Sequence, residues 1–160
     1  MNKEEFIQEV RSAEETLYRV ALSILRNESD AADAVQEALL RAYENLHTLR
    51  KKQYFKTWLV RILMNECYKI QKRQKRLVSY EEYMQQESGR EDPCYTDLYQ
   101  AILELPQEMR TAVVLFYMEG FSIEEIASIT GSCKSTVKTR LFRARAQLRK
   151  SLEDREEAIC

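Results

Sequence analysis

Seven basic side chains and no acidic one occupy residues 133–150: Lys134, Lys138, Arg140, Arg143, Arg145, Arg149 and Lys150. Charge of one sign at this density suits one kind of chemistry, the neutralisation of phosphates along a nucleic-acid backbone, with counterion release and a steep dependence on salt. A second cationic block lies upstream, where residues 50–76 hold ten basic side chains against Glu66 alone. Acidic stretches separate the two: residues 1–49 carry five basic and ten acidic side chains, and residues 77–98 carry one and six. A net charge of −1 over the whole chain conceals this segregation.

Covalent chemistry finds no comparable support. His47 stands alone, so neither a catalytic triad nor a metal site can be assembled around it. Cys67, Cys94, Cys133 and Cys160 lie 27, 39 and 27 residues apart, without a Cys-x-x-Cys pair, which argues against both zinc and a disulfide framework. The sequence offers no pairing of nucleophile with base and no phosphate loop, so no enzymatic activity, cofactor, metal or small-molecule substrate is expected. No run approaches the roughly 18 apolar residues of a membrane span, and MNKEEFIQEV is not a signal peptide, so a cytoplasmic protein without direct membrane insertion is expected.

The elements that must position these cations are helical. Three glycines and two prolines in 160 residues leave little room for tight hairpins, and 44% hydrophobic content is enough for one domain or two small ones. Ser122, three residues before Glu125, fits a capping box that opens a helix of about two turns, and Gly131 is its natural stop. Val137, Leu141, Ala144, Leu148 and Leu152 then recur at steps of four, three, four and four, one apolar stripe with cations on the opposite face. Two short helices joined at a glycine form a helix-turn-helix, whose second helix lies in the major groove. Lys134, Ser135, Thr136, Lys138 and Thr139 then face bases or nearby phosphates, and Arg140, Arg143 and Arg145 sit further along, at phosphates.

Residues 1–76 read as a separate helical unit. Asp30 is placed to cap a helix with Val35, Ala38, Leu39, Ala42 and Leu46 as its buried stripe, leaving Asp33, Gln36, Glu37, Arg41 and Glu44 outside it. A second helix spans residues 55–76, with Phe55, Leu59, Ile62 and Leu63 as its core face and an almost purely cationic tail. Trp58 is available either to the core or to a stacked base. Pro106 fits the first turn of a helix running toward Met118. Phe116, Tyr117 and Phe121 are expected to pack the C-terminal unit, and the polar tail EDREEAIC to fray.

These residues carry a family resemblance. DAADAVQEALLRAY resembles region 2.2 of extracytoplasmic-function sigma factors of the sigma-70 family, FKTWLVRILMNECYKIQKRQKR resembles regions 2.3 and 2.4, and LPQEMRTAVVLFYMEGFSIEEIASITGSCKSTVKTRLFRARAQLRKSL is similar to region 4. The resemblance implies an all-α fold of two small domains: a region 2 bundle at 1–76, a flexible acidic linker at 77–96, a region 4 helix-turn-helix at 97–152 and a polar tail at 153–160. It implies neither an N-terminal autoinhibitory region nor sigma domain 3.

Family roles transfer to matching positions. Asp33, Gln36, Glu37 and Arg41 fall where region 2.2 docks on the β′ coiled coil of core RNA polymerase, although by themselves they read as a solvated helix face. Asn65 stands seven residues after Trp58, where the family asparagine helps form a pocket for a base flipped from the −10 element, and an amide can both donate to and accept from a base edge. Arg61, Lys69, Lys72, Arg73, Lys75 and Arg76 would hold the strand. Region 4 would grip the −35 duplex and the β flap, while the acidic linker, with Glu81, Glu82, Glu87, Glu91 and Asp92, lies in the polymerase channel.

Ser132, Cys133 and Lys134 depart from the family pattern at the start of the recognition helix, so the preferred −35 bases do not transfer; Ser132 or Ser135 remains available as a cap, and Cys133 beside Lys134 is a candidate redox-sensitive thiol. The implied function is promoter-specific initiation with core polymerase under control of an anti-sigma factor, which in this family is often membrane-anchored. The competing readings are a stand-alone helix-turn-helix regulator, which ordinarily dimerises on paired half-sites, and a helical adaptor with no DNA role.

Overall fold

The computed structural model of the chain describes residues 1–81 and 96–159, with side chains in 1–76 and 96–157. Every regular element among them is helical. Helices α1 (Lys3–Leu25), α2 (Glu28–Glu44) and α3 (Phe55–Glu81) form one unit, and α4 (Asp97–Glu104), α5 (Gln107–Val113), α6 (Ile123–Thr130) and α7 (Lys134–Ile159) a second. Two single 3-10 turns, Leu46–Thr48 and Lys52–Tyr54, connect α2 to α3, and α5 runs on through one wider π turn, Val114–Met118.

Local capping explains where the helices begin. The Asn2 side chain accepts from the Glu5 amide at 2.8 Å while the Glu5 carboxylate accepts from the Asn2 amide at 3.1 Å, a reciprocal box that opens α1. Ser122 and Glu125 form the same box on α6, and Gly131 ends that helix at φ 68°, as expected. The cap of α2 is Asn27 and not Asp30, since the Asn27 side chain accepts from the Asp30 amide at 3.0 Å. Asp30 is thereby left to accept from Gln74 at 2.6 Å, tying α2 to α3. Pro106 occupies the cap position of α5, one residue before its first turn. Buried Arg110 donates to the Leu103 and Leu105 carbonyls at 3.2 and 3.1 Å, satisfying carbonyls that the end of α4 leaves unpaired.

The buried stripe of α2 is Ala31, Ala34, Ala38 and Ala42, whereas Val35, Leu39 and Leu46 are only half-buried. The expected stripe is therefore rotated toward the alanines, whose small side chains let α2 approach α1 and α3 closely. On α3, Phe55, Leu59 and Leu63 are buried as the periodicity indicates, but so are Val60, Met64 and Cys67. The extra burial has a cause: α3 packs on α1 and α2 with one face and on α6 with another.

That second contact joins the two units into one continuous apolar cluster running from Phe6, Leu17 and Leu63 to Val113, Leu115 and Ile126. Polar contacts line the seam. Arg19 donates to both carboxylate oxygens of Glu119, Nε to Oε1 at 2.5 Å and Nη2 to Oε2 at 3.0 Å. Thr57 donates to Glu125 at 3.1 Å, and Gln71 and Gln107 exchange amide hydrogen bonds at 2.7 and 3.1 Å. The Lys56 ammonium lies 5.5 Å from the centre of the Phe121 ring. The expected linker at 77–96 falls largely outside the described residues; its first part, through Glu81, continues α3.

At the other end the expected frayed tail is instead the last turns of α7, with Arg155 donating to the Glu104 carboxylate at 3.0 Å and to the Asp97 carbonyl at 3.3 Å. Phe121 is buried and Phe116 half-buried, but Tyr117 is exposed, against the expectation that all three pack.

Arg19 is the accessible member of its ion pair with Glu119, with 45% of its side chain exposed against 2% for Glu119. Its substitution Arg19→Glu sets two acids face to face and should cost about 1–2 kcal/mol of closure. Small-angle scattering should report a larger radius of gyration, and adding Glu119→Arg in the same chain should restore the compact value.

Candidate nucleic-acid interface

Helix α3 presents Trp58, Asn65, Lys69, Lys72 and Arg76 along one side, at helical spacing. Trp58 is half-buried, its ring 5.8 Å from that of Phe55, so it belongs partly to the core and partly to the surface. Trp58, Asn65 and Lys69 line a single cavity of about 290 Å³ together with Arg41, Asn45, Thr48, Ile62 and Glu66. An indole wall, an exposed amide and two cations around an opening of this size can stack a planar base and hydrogen-bond its edge. The other α3 cations lie beyond it: Lys72, Arg73 and Arg76 share with Lys69 an adjoining cleft of about 590 Å³, whose opposite wall carries Asp33, Glu37 and Arg41 of α2. Arg61 and Lys75 are exposed and line neither.

The four α2 residues therefore separate. Asp33, Glu37 and Arg41 face the cationic side of α3, whereas Gln36 faces α1, in an apolar groove of about 560 Å³ with Tyr18, Arg19, Val35 and Leu39. Leu40 and Tyr43, half-exposed at i+4 and i+7 from Gln36, extend the outer surface of α2, and the sequence reading passed over them. Glu66, in the sequence only the lone acid of a basic block, has a structural partner there. Its nearly buried carboxylate forms an ion pair with Arg41 Nε at 2.7 Å and accepts from Lys69 Nζ at 3.1 Å, and Arg41 lies 3.5 Å from Glu37 as well. The signal was present in the sequence, as the sole acid in a cationic block.

On α7 the buried stripe is Val137, Leu141 and Ala144, with Leu148 half-buried. Lys134, Ser135, Lys138, Thr139, Arg143 and Arg145 are exposed, and Thr136 and Arg140 are half-buried. The cations differ in how far they are already compensated. Arg140 donates to the Ser132 hydroxyl at 3.0 Å and reaches the Glu108 carboxylate at 3.5 Å; Lys134 lies 3.6 Å from Glu124; Arg145 donates to the Tyr117 hydroxyl at 2.9 Å. Ser132 thus serves Arg140, and the cap position of α7 falls to Cys133, whose carbonyl accepts from Val137 at 3.1 Å. Among the described residues Lys138 and Arg143 have no ion-pair partner. Phe142, 69% exposed, lies between Lys138 and Arg145 on the same side, a further residue absent from the sequence reading.

Among the described residues there is no group of three His, Cys, Asp or Glu that could hold a metal, and no helix long and apolar enough to cross a membrane. Cys133 is exposed; Cys67 is buried, and that burial, reinforced by the charge of Glu66, pushes its thiol up to about 12.

A helix-turn-helix with a cationic second helix thus stands beside a three-helix unit that sets an aromatic, amide-lined pocket at the head of a cationic helix, the two-module architecture of a sigma factor. Family models agree: residues 10–77 match sigma-70 region 2 and residues 95–148 match sigma-70 region 4. Among relatives, the chain is 38% identical over 130 residues to RNA polymerase sigma factor SigV of Bacillus subtilis, covering 79% of this chain and 78% of that protein. It is 33% identical over 156 residues to the ECF sigma factor SigW of the same organism, covering 86% and 83%. Among solved structures, it resembles the sigma factor RpoE in complex with the anti-sigma factor NepR from Bartonella quintana, with a TM-score of 0.79, 28% identity and coverage of 92% of this chain and 96% of that one. CnrH in complex with the cytosolic domain of CnrY shares the fold at a TM-score of 0.71 and 24% identity, over 96% and 90% of the two chains. The chain belongs to the extracytoplasmic-function sigma factors of the sigma-70 family.

Two measurements follow from this geometry. For duplex DNA binding, Lys138→Ala or Arg143→Ala should each lower the salt slope by about one unit, while Arg140→Ala, whose charge Glu108 already offsets, should change it by less. For the thiols, the neutral form of Cys67 is favoured only in the folded state, so its contribution to stability is lost as pH rises from the ordinary thiol range through about 12. In a Cys94→Ser/Cys160→Ser background at pH 8, alkylation should reach Cys133 in the native protein and Cys67 only in denaturant, as mass spectrometry of the labelled peptides would show.

Proposed function

We propose that the protein is an alternative sigma factor whose region 2, residues 1–76, docks on the β′ coiled coil and captures a −10 base, and whose region 4, residues 97–152, grips the −35 duplex and the β flap. The observation that carries this reading is the convergence of Trp58, Asn65 and Lys69 on one cavity, with a second cationic helix on the other unit. A stand-alone helix-turn-helix regulator has no use for that cavity. The protein acts in the cytoplasm and has no enzymatic activity of its own. Unstacking a base costs a few kcal/mol, and contacts with polymerase and DNA supply it. Lys69, Lys72, Arg73 and Arg76 hold the strand backbone near the pocket, with Arg61 and Lys75 as outlying phosphate contacts. The polymerase contacts of α2 then come from two sides of the helix, Asp33, Glu37 and Arg41 toward the cationic cleft and Gln36 toward α1.

The closed arrangement cannot serve both promoter elements together. Their names place them about 25 base pairs apart, ~85 Å at ~3.4 Å per pair, while a compact chain of 160 residues has a radius of gyration of ~15 Å. Initiation therefore requires the seam at Arg19–Glu119 and Gln71–Gln107 to open. The overall likeness extends across both units of an RpoE bound by NepR. That likeness supports control by a cognate anti-sigma factor that stabilises the closed form.

Transcription from genomic fragments by purified core polymerase, with and without the protein, tests this reading; new start sites sharing −35 and −10 elements are expected, whereas duplex binding by the protein alone with an inactive core would favour the stand-alone regulator. On such a promoter Asn65→Ala should reduce permanganate reactivity of the melted strand by about tenfold, on the scale of one lost base contact, and leave core binding unchanged in a pull-down.

A further inference from the structure

Glu66 separates the two cavities of α3, lining both with Arg41 and Lys69. Its side chain is 5% exposed, whereas those of Arg41 and Lys69 are 45% and 55% exposed. One nearly buried carboxylate thus holds two cations that otherwise project into water, one from each helix. A free lysine or arginine samples many rotamers, and immobilising one costs up to about 2 kcal/mol of side-chain entropy. Glu66 settles that cost in the free protein, so Arg41 and Lys69 stand fixed at the rim of the cavity beside Asn65 before any nucleic acid arrives.

We propose that Glu66 is the positioning residue of the base pocket: through Arg41 Nε and Lys69 Nζ it sets the wall against which a captured base lies. The proposal rests on the assignment of the Trp58–Asn65 cavity as that pocket. The geometry favours positioning over simple fold stabilisation. Buried ion pairs stabilise folds weakly because desolvation offsets attraction, and an apolar residue at position 66 would serve the packing of α3 as well. A carboxylate is needed only if something must be aimed. Arg41 also approaches Glu37 at 3.5 Å, so the same network runs from the α2 face assigned to polymerase into the pocket.

The test uses holoenzyme assembled from core polymerase and the full chain. The probe is a single-stranded oligonucleotide carrying the non-template −10 strand of a promoter mapped by run-off transcription, either intact or with an abasic nucleotide at each position in turn. Wild-type holoenzyme should bind the intact strand about tenfold more tightly than the strand abasic at the captured position, the order that stacking and edge contacts supply. With Glu66→Gln, which keeps volume and loses the charge, that ratio should fall to about twofold or less, while affinity for the abasic strand changes little. Arg41→Lys, at a half-exposed position that does not endanger folding, should reproduce the loss. A merely structural role would weaken both strands alike and leave the ratio intact, and that result in both variants overturns the inference. Absence of any abasic penalty in the wild type would overturn the pocket assignment and the inference with it, whereas a wild-type penalty retained by both variants overturns the inference alone.

Discussion

The structure depends on one helix meeting three environments at once. Helix α3 buries Phe55, Leu59, Leu63 and Cys67 in the core, meets α6 through Thr57 and the turn before it through Lys56, and exposes Asn65, Lys69, Lys72 and Arg73. Each environment restricts the others. A cation cannot be moved to the inner faces without losing its water, and an apolar residue on the outer face removes a cation from the exposed side. The register of α3 is therefore fixed by burial, and the pocket residues inherit their direction from it. Asp30, through its bond to Gln74, and Gln71, through its bonds to Ile24 and Gln107, pin that register further along the helix.

Much of this was legible in the sequence, because its signals were local. The Ser122–Glu125 box, the Gly131 stop, the Val137–Leu141–Ala144 stripe and the segregation of charge each involve residues within one or two turns of each other. The helical class followed from them. What escaped was whatever depends on a partner distant in sequence. Asp30 looked like a cap because its type allows it, but Asn27 stands at the position where backbone geometry places the cap. Arg140 gave no sign in the sequence of the Glu108 carboxylate that α5 brings beside it. Glu66 looked like an isolated exception to a basic run until α2 delivered Arg41.

The seam between the units was hidden for the same reason. Arg19 and Glu119 stand a hundred residues apart, and each by itself reads as an ordinary surface charge. Its apolar part was hidden in another way: Val60, Met64, Ile126 and Val113 are what any small helical domain would bury, so their types say nothing about whether the surface they cover belongs to one unit or two. A separate promoter-binding module and a half of a closed pair have the same hydrophobic pattern.

In the proposed scheme, closure and base capture draw on the same source of free energy. With no nucleotide hydrolysis in it, contacts with polymerase and promoter would both open the seam and hold an unstacked base. Reversing a closed population from 99:1 to 1:99 requires a preference of about 5.5 kcal/mol for the open form, on top of a few kcal/mol for the base. A seam of mixed character fits that demand. Its polar pairs, Arg19–Glu119 and Gln71–Gln107, exchange their partners for water on opening, so their net contribution is small. The apolar part covers helix faces that opening exposes, and that exposure sets the closed state's stability. Such a seam can be held shut by a partner gripping both units, and released by a partner binding either one, because each needs to supply only the difference between two nearly balanced states.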